Sequence, residues 1–576
     1  MQFRYIIEPE DLKKVLQELS GEKVLFIDTE VGASKLRLFQ VSAKEGEVYI
    51  IDVFELGKQA LETIRELLKN SGVVGHNLKF DLRFLLEEGI KPLATYDTMI
   101  AHQLLGGEEH VKRASLREVA REHLGKIVDK SLQLSDWSMK NLTREQLEYA
   151  ANDVILVREL FPVLNSKLNN ISENGINLKE IPEAQVFDIK NPAVAVEMAF
   201  VKEITLLEMN GIPINEQELE RLTQELSKSL NKKVMNFISL HRVDPFSPKQ
   251  LSELFTKKLK LDLPKTEKGN VSTDDKALAQ HIDIPAIESL LEIRSSKKSI
   301  EKLQEIKQNL KNGRIYPEFK QIGAITGRMS SYNPNVQNIS RDLRHIFQAN
   351  NGNILVVADF SQIELRIACE YVGEDKMLRA LKEGIDLHRY TASILLSKPA
   401  SDISKQERQL AKAVNFGLIY GISAKGLVEY ARTYGVKLSQ TDAQRLREGF
   451  FAHYNAIKQW HEKVKTQLKE HGHIRGQTLL GRYYIAQTFP DAVNYPIQGT
   501  GADLLKLSVV LFRRKDQDRA KVINLVHDEI VVECPEDKAD IVSENLKEAM
   551  LDAGSRILKN VPIEVELSIA KSWKKD

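Results

Sequence analysis

The pattern of secondary structure changes twice along this chain of 576 residues, and this limits the folds that it can adopt. Residues 1 to about 165 alternate short apolar strands with helical patterns, which predicts an α/β domain. From about 195 to 310 the pattern is almost wholly helical, with two loops rich in Pro, Gly, Ser and Asp. The remainder mixes strands with long helices. We therefore predict several domains, with the best boundary in the polar connector at 168–185.

Composition excludes several classes of protein. No apolar run reaches the roughly 18 residues that span a bilayer, and the N-terminus lacks the pattern of a secretion signal, so we expect a soluble cytosolic protein. The only cysteines, Cys369 and Cys534, exclude a disulfide framework and argue against a structural zinc site. A net charge of +1 means that any case for nucleic-acid binding must come from local patches.

A first group of acidic residues lies near the N-terminus. Asp28 and Glu30 are two residues apart at the end of a predicted strand, so their side chains point to the same face of the sheet. Two carboxylates so placed repel each other unless a cation lies between them. An isolated pair of this kind is usually an exposed strand end. However, Asp81 opens a predicted helix, and Tyr149 and Asp153 share one helix face. Together these side chains could hold a Mg²⁺ or Mn²⁺ pair and orient an attacking water.

The segments IDTE, GHNLKFD and YAAND resemble, in order and spacing, the three motifs of the DEDDy-type 3'-5' exonucleases. The resemblance implies an RNase H-like fold and a residue, Tyr149, that positions the water. Asp97 matches a further acidic position of that fold, for which a structural role stays open. The implied metal ligands are Asp28, Glu30, Asp81 and Asp153.

A second group of acids lies in LVHDEIVVEC, where His527, Asp528 and Glu529 stand between two apolar runs and carboxylates should be poorly solvated. The pattern predicts a hairpin whose tight connection carries His527 and Asp528. NILVVADF reads as a buried strand that ends at Asp359, which by itself could be a helix cap. If the hairpin tip lies beside that strand, two Mg²⁺ ions roughly 4 Å apart could bind there, hold a triphosphate and offset the desolvated carboxylates.

The segment ISKQERQLAKAVNFGLIYG supplies positive charge. Ser404 and Glu407 have the spacing of a capping box, which predicts that a helix begins there. Arg408 and Lys412 then lie one turn apart on one face, with Phe416 close to the same stripe. Such a pair is usually a solvated helix face, but it is also suited to phosphate oxygens, with an aromatic surface for a sugar and base.

Five segments in order resemble the motifs of the family A DNA polymerases: TGRMSSYNPNVQNI, ADFSQIELR, the helix from Arg408 to Gly421, NYPIQGTGADLLK and LVHDE. The likeness extends through nearly all of residues 195–576. It implies a multidomain fold of α/β and α+β type, in which an RNase H-like exonuclease domain precedes a right-hand polymerase domain. The predicted domains are 1–190 for the exonuclease and 191–576 for the polymerase, with the thumb at about 205–310, the palm at about 311–375 and 482–576, and the fingers at about 376–481.

The resemblance also implies roles for single residues. Asp359 and Asp528 would hold metal, with Glu529 beside them, and Lys412 would act in catalysis. The implied deoxynucleotide-binding residues are Arg408, Lys412, His388, Phe416, Tyr420, Gln362 and Glu364, the last of which would exclude a ribose 2' hydroxyl. The implied contacts to primer and template are Arg328, Asn335, Gln337, Asn338, Arg482, Asn494, Gln498 and His527. The Lys-rich helical region fits a thumb that grips the phosphate backbone, through Lys232, Lys233, Lys257, Lys258, Lys260, Lys297 and Lys298.

Three segments depart from the family pattern. Phe360 stands where Tyr is usual, and SRDLRHIF replaces the usual sequence after VQNI, which leaves the roles of Arg341 and Arg344 open. GRYY leaves Arg482 without a basic neighbour. These differences bear on substrate selectivity more than on the reaction.

The predicted function is template-directed DNA synthesis on a primer with 3'-5' proofreading, and the predicted cofactors are two Mg²⁺ ions in each active site, with Mn²⁺ as a substitute. The expected partners are primer-template DNA and deoxynucleoside triphosphates, and we expect a cytoplasmic monomer with no membrane partner, in a bacterial or phage-infected cell or an organelle. No 5' nuclease domain is expected ahead of the first motif. The alternatives are a single-subunit RNA polymerase, a non-catalytic primer-template binding protein, and an exonuclease whose large domain only clamps DNA.

Overall fold

The computed structural model describes residues 3–129, 131–171, 176, 178–516 and 519–573. The chain forms two compact units. The first comprises Met1–Asn210, Phe319–Ser331 and Val356–Ser568, and the second comprises Gly211–Glu318, Tyr332–Leu355 and Ile569–Asp576. The centre of the predicted connector, 172–175 and 177, lies outside the described residues.

The N-terminal part of the first unit contains a mixed sheet in the order β1-β4-β3-β2-β5-β6. Its strands are β1 (Phe3–Ile6), β2 (Val24–Gly32), β3 (Lys35–Ser42), β4 (Val48–Asp52), β5 (Gly72–Gly75) and β6 (Ala94–Asp97). β3 pairs antiparallel with β2 and β4, whereas the pairs β1 with β4, β2 with β5 and β5 with β6 are parallel. This mixed sheet confirms the predicted α/β class of the N-terminal region.

Helices accompany this sheet. They are α1 (Pro9–Leu19), α2 (Val53–Leu56), α3 (Lys58–Leu68), α4 (Lys79–Glu87), α5 (Thr98–Gln103), α6 (Glu108–Lys112), α7 (Leu116–Leu124), α8 (Arg144–Asn169) and α9 (Pro182–Val186). Capping boxes at Ser115 and Thr143 begin α7 and α8, because each side chain accepts from the third helical N–H. α8 packs on β2, β3, β4 and β5, so residues on its buried face reach β2.

The middle of the chain is mainly helical, as predicted. Its elements are α10 (Pro192–Asn210), β7 (Ile212–Pro213), α11 (Glu216–His241), α12 (Pro248–Glu253), a π-helix (Leu254–Lys258), α13 (Asp275–Ala279), α14 (Pro285–Gln308), β8 (Arg314–Ile315), β9 (Glu318–Lys320), β10 (Ser330–Tyr332) and a 3₁₀-helix (Arg341–Ile346). In the second unit α11 packs against α14 around an apolar core that includes Phe237, Phe255, Leu290 and Ile293.

The C-terminal part completes the first unit. Its elements are β11 (Asn353–Phe360), α15 (Ile363–Val372), α16 (Asp375–Lys382), α17 (Leu387–Leu396), a 3₁₀-helix (Ala400–Asp402), α18 (Lys405–Ile419), α19 (Ala424–Thr433), α20 (Gln440–His453), α21 (Asn455–His471), β12 (Ile474–Gln477), β13 (Tyr483–Ala486), α22 (Phe489–Asp516), β14 (Lys521–Val526), β15 (Glu529–Pro535), a 3₁₀-helix (Glu536–Lys538), α23 (Ala539–Ile557) and β16 (Val565–Ala570). Four of these strands form a sheet in the order β14-β15-β11-β16, on which the second group of acids stands.

Among the described residues, no helix has the length and apolar character needed to cross a membrane.

Candidate active sites

The first candidate site forms in the second half of β2; the predicted strand end at Asp28 and Glu30 is wrong, because both residues pair with β3 and the strand continues to Gly32. Asp28 and Glu30 are half-buried on this strand, and Thr29 between them is buried. Thr29 Oγ1 donates a hydrogen bond of 2.6 Å to Asp81 Oδ1 in the first turn of α4. The strand thus carries two of the predicted acids and holds the third through the intervening threonine.

Helix α8 brings the remaining two predicted residues to the same site. Burial raises the pKa of the half-buried Tyr149 phenol, and the carboxylates of Asp153, Glu30 and Asp28 raise it further. Tyr149 also forms a hydrogen bond with Asp153, one helical turn away. A phenol whose ionisation is opposed by three carboxylates stays protonated, so it can donate to an oxygen in the site.

Asp97 has a structural position in this region. It is buried at the N-cap of α5, where it accepts from the backbone N–H groups of Met99 and Ile100. It also accepts from Asn77 N at 3.0 Å and Leu78 N at 2.8 Å. Asp97 therefore fixes the loop that leads into α4, the helix that carries an acid of the site.

The chemistry of this donor set fits a divalent cation. Asp81 is 2% exposed, and burial raises the pKa of its carboxyl to about 7, while the hydrogen bond from Thr29 opposes this shift. A carboxylate that is costly to ionise in isolation is stabilised by a nearby cation. The four carboxylates, which come from β2, α4 and α8, are the hard oxygen ligands that Mg²⁺ and Mn²⁺ prefer.

The second candidate site forms where two neighbouring strands end. Asp359 lies at the end of β11, and Asp528 lies in the connection between β14 and β15. Because β15 is adjacent to β11 in the sheet, the hairpin tip reaches the end of β11, and Phe360 N donates to Asp528 O at 3.3 Å. The predicted hairpin and its position beside Asp359 are therefore confirmed.

The hairpin has a tight connection with an unusual backbone. Val526 pairs with Glu529, so His527 and Asp528 alone form the turn. His527 has a φ of 57°, in the left-handed region that two-residue hairpin turns require and that histidine tolerates better than most residues. His527 is exposed, Asp528 is half-buried and Glu529 is buried, so the acid that begins β15 is the one withdrawn from solvent.

The turn after β11 is held by Arg366, which is 2% exposed. Its Nε donates to Ser361 O at 2.8 Å, and its Nη2 lies 2.8 Å from Glu564 Oε2. Gln362 in this turn has a φ of 52° and precedes α15. Arg366 thus stabilises the strained segment that directly follows Asp359.

The predicted capping box on α18 is confirmed, since Glu407 N donates to Ser404 Oγ and Ser404 N donates to the Glu407 carboxylate. Arg408, on the first turns of this helix, forms a bidentate pair with Asp386, with distances of 3.2 Å from Nε to Oδ1 and 2.7 Å from Nη2 to Oδ2. Gln362 Nε2 also donates to Asp386 Oδ2 at 3.2 Å. Asp386 therefore joins two predicted nucleotide-binding residues, although the sequence did not single it out.

The remaining residues of α18 face two different neighbours. Asn415 Nδ2 lies 3.1 Å from His388 Nδ1, and the His388 ring lies 5.7 Å from that of Phe416. His388 is buried, and burial lowers the pKa of its imidazole to about 4. Lys412 Nζ lies 5.8 Å from the centre of the Tyr434 ring. The structure thus brings His388 together with Phe416 and directs Lys412 to an aromatic ring.

Glu364 joins two other predicted residues. Arg328 Nη2 donates to Glu364 Oε1 at 2.6 Å, and Tyr420 Oη donates to the other carboxylate oxygen. Burial raises the pKa of Tyr420 and the Glu364 carboxylate raises it further, so the phenol remains a donor. The three side chains therefore form a continuous polar bridge from α15 to the end of α18.

Arg482 has surroundings that the sequence did not predict. It is 4% exposed and pairs with Glu197 of α10 and with Asp503 of α22, whose Oδ1 lies 2.6 Å from Arg482 Nη2. Lys506 Nζ, 1% exposed, lies 2.5 Å from Glu197 Oε1. We call Glu197, Arg482, Asp503 and Lys506 the buried charge cluster. Arg482 therefore lies away from solvent, among acids of two helices, while its role in DNA contact stays a prediction.

The other predicted DNA-contact residues fall in both units. Asn494 and Gln498 lie one turn apart on α22 and are half-buried. The second unit contains Asn335, Gln337 and Asn338, where Gln337 N donates to Asn335 Oδ1 at 3.1 Å and Asn338 is exposed.

Several lysines of the predicted thumb pair with acids. Lys233 lies 3.0 Å from Glu292, and Lys298 lies 2.6 Å from Asp275. Lys232 is exposed on α11. The Lys-rich region therefore contains both paired and solvent-facing cations.

Comparison with known protein families divides the chain into two matched regions. A sequence model described as 3'-5' exonuclease matches residues 3–169, and one described as DNA polymerase family A matches residues 215–575. The predicted boundary at 190 lies between the two matches and stays a prediction.

The chain is also similar to curated bacterial proteins. It is 54% identical over 581 residues to DNA polymerase I of Aquifex aeolicus (strain VF5), with full coverage of both chains. It is 31% identical over 614 residues to DNA polymerase I of Pseudomonas aeruginosa, covering 97% of this chain and 64% of that one. A solved structure, the POL domain of Pol1 from M. smegmatis in complex with DNA primer-template and dNTP, aligns with a TM-score of 0.83 at 24% identity, over 99% of each chain.

Proposed function

Since the chain belongs to DNA polymerase family A and carries a 3'-5' exonuclease domain, we propose that its two carboxylate sites perform the two opposing reactions at a primer end. The chain is a DNA polymerase. The site around Asp359 and Asp528 would extend the primer, and the site around Asp28 and Asp153 would shorten it.

The observation that carries the polymerase assignment is the hydrogen bond from Phe360 N to Asp528 O. It joins the backbones of two segments that are far apart in sequence and directly flank the two acids. Two carboxylates held side by side in this way could bind the two metal ions that phosphoryl transfer requires.

Mg²⁺ suits both donor sets, and Mn²⁺ could replace it. Asp359 and Asp528 would hold it in one site, and the ligands in the other would be Asp28, Glu30, Asp81 and Asp153. When bound, the ions supply positive charge that offsets the developing charge on the phosphoryl oxygens and lowers the pKa of the attacking hydroxyl or water.

The exonuclease reaction needs an oriented water. Tyr149 stays protonated beside Asp153, Glu30 and Asp28, so its hydroxyl can donate to the attacking oxygen and hold it in line with the phosphorus.

In the polymerase reaction the triphosphate would bind to Arg408 and Lys412 on α18. Arg408 now pairs with Asp386, and a triphosphate would compete with this carboxylate for the same guanidinium face. His388 would add a hydrogen bond, and Phe416, beside its ring, would pack against the sugar. Lys412, one turn from Arg408 on α18, would be the group that protonates the pyrophosphate leaving group.

Selection against ribonucleotides would come from Glu364. Arg328 and Tyr420 each donate to one of its oxygens and so hold the carboxylate in place, where it would occupy the space that a 2' hydroxyl needs. Tyr420, linked in this way, would hold the space that the templating base later fills, and Gln362 would line the same pocket.

The proposed partners are primer-template DNA and deoxynucleoside triphosphates. The shared fold with a polymerase domain that binds both supports this proposal. Exposed and half-buried polar groups would contact the DNA, namely Arg328, Asn335, Gln337, Asn338, Asn494, Gln498 and His527. For Arg482 we propose a supporting role beside Arg328's segment, through the buried charge cluster. The bacterial relatives support action in the cytoplasm. We also propose that the chain acts as a monomer.

The direct test is a labelled primer on a DNA template, with a matched or a mismatched 3' end. Asp528→Asn should lose extension of the matched end and keep shortening of the mismatched end, whereas Asp28→Asn should do the reverse. Asp537→Asn and Asp11→Asn are matched controls because both side chains are well exposed and outside the sites. Loss of both reactions in either site variant would contradict the proposal.

A further inference from the structure

A cluster of imidazoles lies on helices of the exonuclease domain, apart from both carboxylate sites. His102 on α5 is fully buried, and its ring centre lies 4.7 Å from that of His110 on α6 and 5.1 Å from that of His123 on α7. Glu122, next to His123 on α7, completes the cluster. The metal and nucleotide chemistry described above uses none of these groups.

Backbone carbonyls orient two of the imidazoles. His102 Nε2 lies 3.1 Å from Arg113 O, and His110 Nδ1 lies at hydrogen-bond distance from Gly106 O. Because a carbonyl only accepts, both ring nitrogens must carry the proton. The opposite nitrogens, His102 Nδ1 and His110 Nε2, therefore present lone pairs when the rings are neutral.

The His110 lone pair faces a carboxylate, since His110 Nε2 lies 3.0 Å from Glu122 Oε1, and the His102 lone pair faces His123. One candidate ligand atom from each of His102, His110 and Glu122 lies within 4.8 Å of the other two. A neutral imidazole lone pair at this distance from a carboxylate is repelled unless a proton or a cation lies between them. In metal sites, a histidine ligand commonly donates its other ring N–H to a backbone carbonyl, which fixes the orientation of the ring. His102 and His110 both have this arrangement.

We propose that His102, His110 and Glu122 bind a divalent transition-metal ion of the Zn²⁺ class. Imidazole nitrogen with one carboxylate oxygen suits Zn²⁺, and a set of two histidines and one glutamate is a known protein zinc set. Such a site needs no cysteine. With bonds of about 2.1 Å, tetrahedral ligand atoms stand about 3.4 Å apart, so the His110 and Glu122 atoms, now 3.0 Å apart, would separate slightly and any wider pair of the set, all within 4.8 Å, would close around the ion.

His123 acts as a positioning residue and not as a ligand. Lys167 Nζ lies 2.8 Å from His123 Nδ1, which therefore accepts, so His123 Nε2 carries the proton. That proton points to His102 Nδ1 at 2.9 Å when no metal is bound. The ion would replace this hydrogen bond at His102 and connect α5, α6 and α7, so it would stabilise the short α6 helix of Glu108–Lys112.

The experiment measures zinc retained by the full chain. Protein stripped with a chelator is equilibrated with Zn²⁺ in excess Mg²⁺, which occupies the carboxylate sites, and free metal is then removed. We expect one Zn²⁺ per chain, and at least about tenfold weaker binding for His110→Gln and Glu122→Gln, two side chains that are exposed enough to change without unfolding the domain. His471→Gln, an exposed histidine on α21, is the matched control and should keep the ion.

A second readout separates this proposal from the proposed function. Co²⁺ in place of Zn²⁺ should give the visible absorption of nitrogen-ligated Co²⁺, and Asp28→Asn should leave the absorption unchanged whether or not the exonuclease is active. Equal zinc content in the intact protein and His110→Gln would overturn the proposal. Loss of the ion in Asp28→Asn would overturn it as well, because the metal would then belong to the exonuclease site.

Discussion

The exonuclease and polymerase sites place carboxylates on strands in different ways. In the first, acids from one strand and two helices converge, and Thr29 and Tyr149 are the polar groups that join them. In the second, two acids lie at neighbouring strand ends, and the predicted cationic partners lie on a separate helix, α18. Both sites gather negative charge, but only the second has arginine and lysine as predicted partners.

The difference follows from what each reaction must bind. The exonuclease binds a neutral water and a phosphodiester with a single negative charge, so metal ions on its oxygen ligands can offset that charge and one hydroxyl can orient the water. A triphosphate brings several negative charges, which require arginine or lysine to offset them. Until the triphosphate arrives, Asp386 satisfies Arg408, so the cation stays ordered without substrate.

The largest effect should come from a residue that neither site contains. Glu197→Gln leaves Arg482 and Lys506 buried without their shared carboxylate, and removing one partner of a buried ion pair costs about 3–5 kcal/mol. We expect a lower midpoint of thermal unfolding and a joint loss of both activities on heating. The exposed Glu462→Gln should change stability by less than about 0.5 kcal/mol.

The same cluster predicts a pH dependence. Burial alone would raise the pKa of Glu197, but Lys506 and Arg482 outweigh it and lower the pKa below its usual value. A lowered folded-state pKa stabilises the protein above the unfolded value of about 4.3, and this stabilisation is lost as pH falls toward the folded value. The stability difference between the intact protein and Glu197→Gln, measured by unfolding, should therefore shrink below about pH 4. A difference that grows on acidification would contradict the assignment.

Arg408→Ala should impair the polymerase reaction and leave the exonuclease reaction intact. We expect kcat/KM for the deoxynucleotide to fall about 100-fold, which corresponds to about 2.7 kcal/mol of lost charge-assisted contact. Shortening of a mismatched primer should be unchanged, because no triphosphate takes part. Steady-state single-nucleotide insertion measures the first effect, and Arg445→Ala, an exposed arginine on α20, is the control. Equal loss in both assays would show that Arg408 supports the fold and not the substrate.

Tyr149→Phe should impair the exonuclease reaction and not the polymerase reaction, with a smaller effect than that of Arg408→Ala. The variant keeps the ring beside Trp137 but loses the hydroxyl, so we expect exonuclease kcat to fall about tenfold, the value of one hydrogen bond. Primer extension should be unchanged. Tyr316→Phe, at an exposed position, is the control. Unchanged shortening in single-turnover assays would remove Tyr149 from the proposed mechanism.

The smallest effect should come from the predicted thumb. Lys232→Ala removes one exposed cation, so the slope of log affinity against log salt should change by about 0.9 if the lysine contacts a phosphate. Fluorescence anisotropy with a labelled primer-template measures the slope, and Lys69→Ala in the exonuclease domain is the control. An identical slope for Lys232→Ala and the intact protein would exclude this phosphate contact.

Local patterns predicted much of the fold and of both acid groups. The capping box at Ser404 and the tight hairpin at His527 depend on neighbouring residues, so their spacing was enough to identify them. Strand β3 gives no such local signal, because it has buried residues on both faces and so lacks the alternation that marks a half-buried strand.

Long-range charge pairs could not be predicted from spacing. Arg482 and Glu197 are separated by 285 positions, and nothing in the sequence near either one indicates the other. An acid within the apolar run of α10 was the available signal that Glu197 needs a buried cation. The pairing of Asp386 with Arg408 could not be predicted for a similar reason. Asp386 has the sequence pattern of an ordinary helix cap, and the pairing depends on how α17 packs against α18.

The most direct test of the central claim is the conversion of a deoxynucleoside triphosphate to its monophosphate on a matched primer-template. This turnover requires addition by one site and removal by the other. With the label on the triphosphate, we predict that the intact protein releases labelled monophosphate, and that Asp528→Asn and Asp28→Asn each abolish this release while Asp537→Asn does not. Release at the intact rate by either site variant would contradict the claim that two separate carboxylate sites perform the opposing reactions.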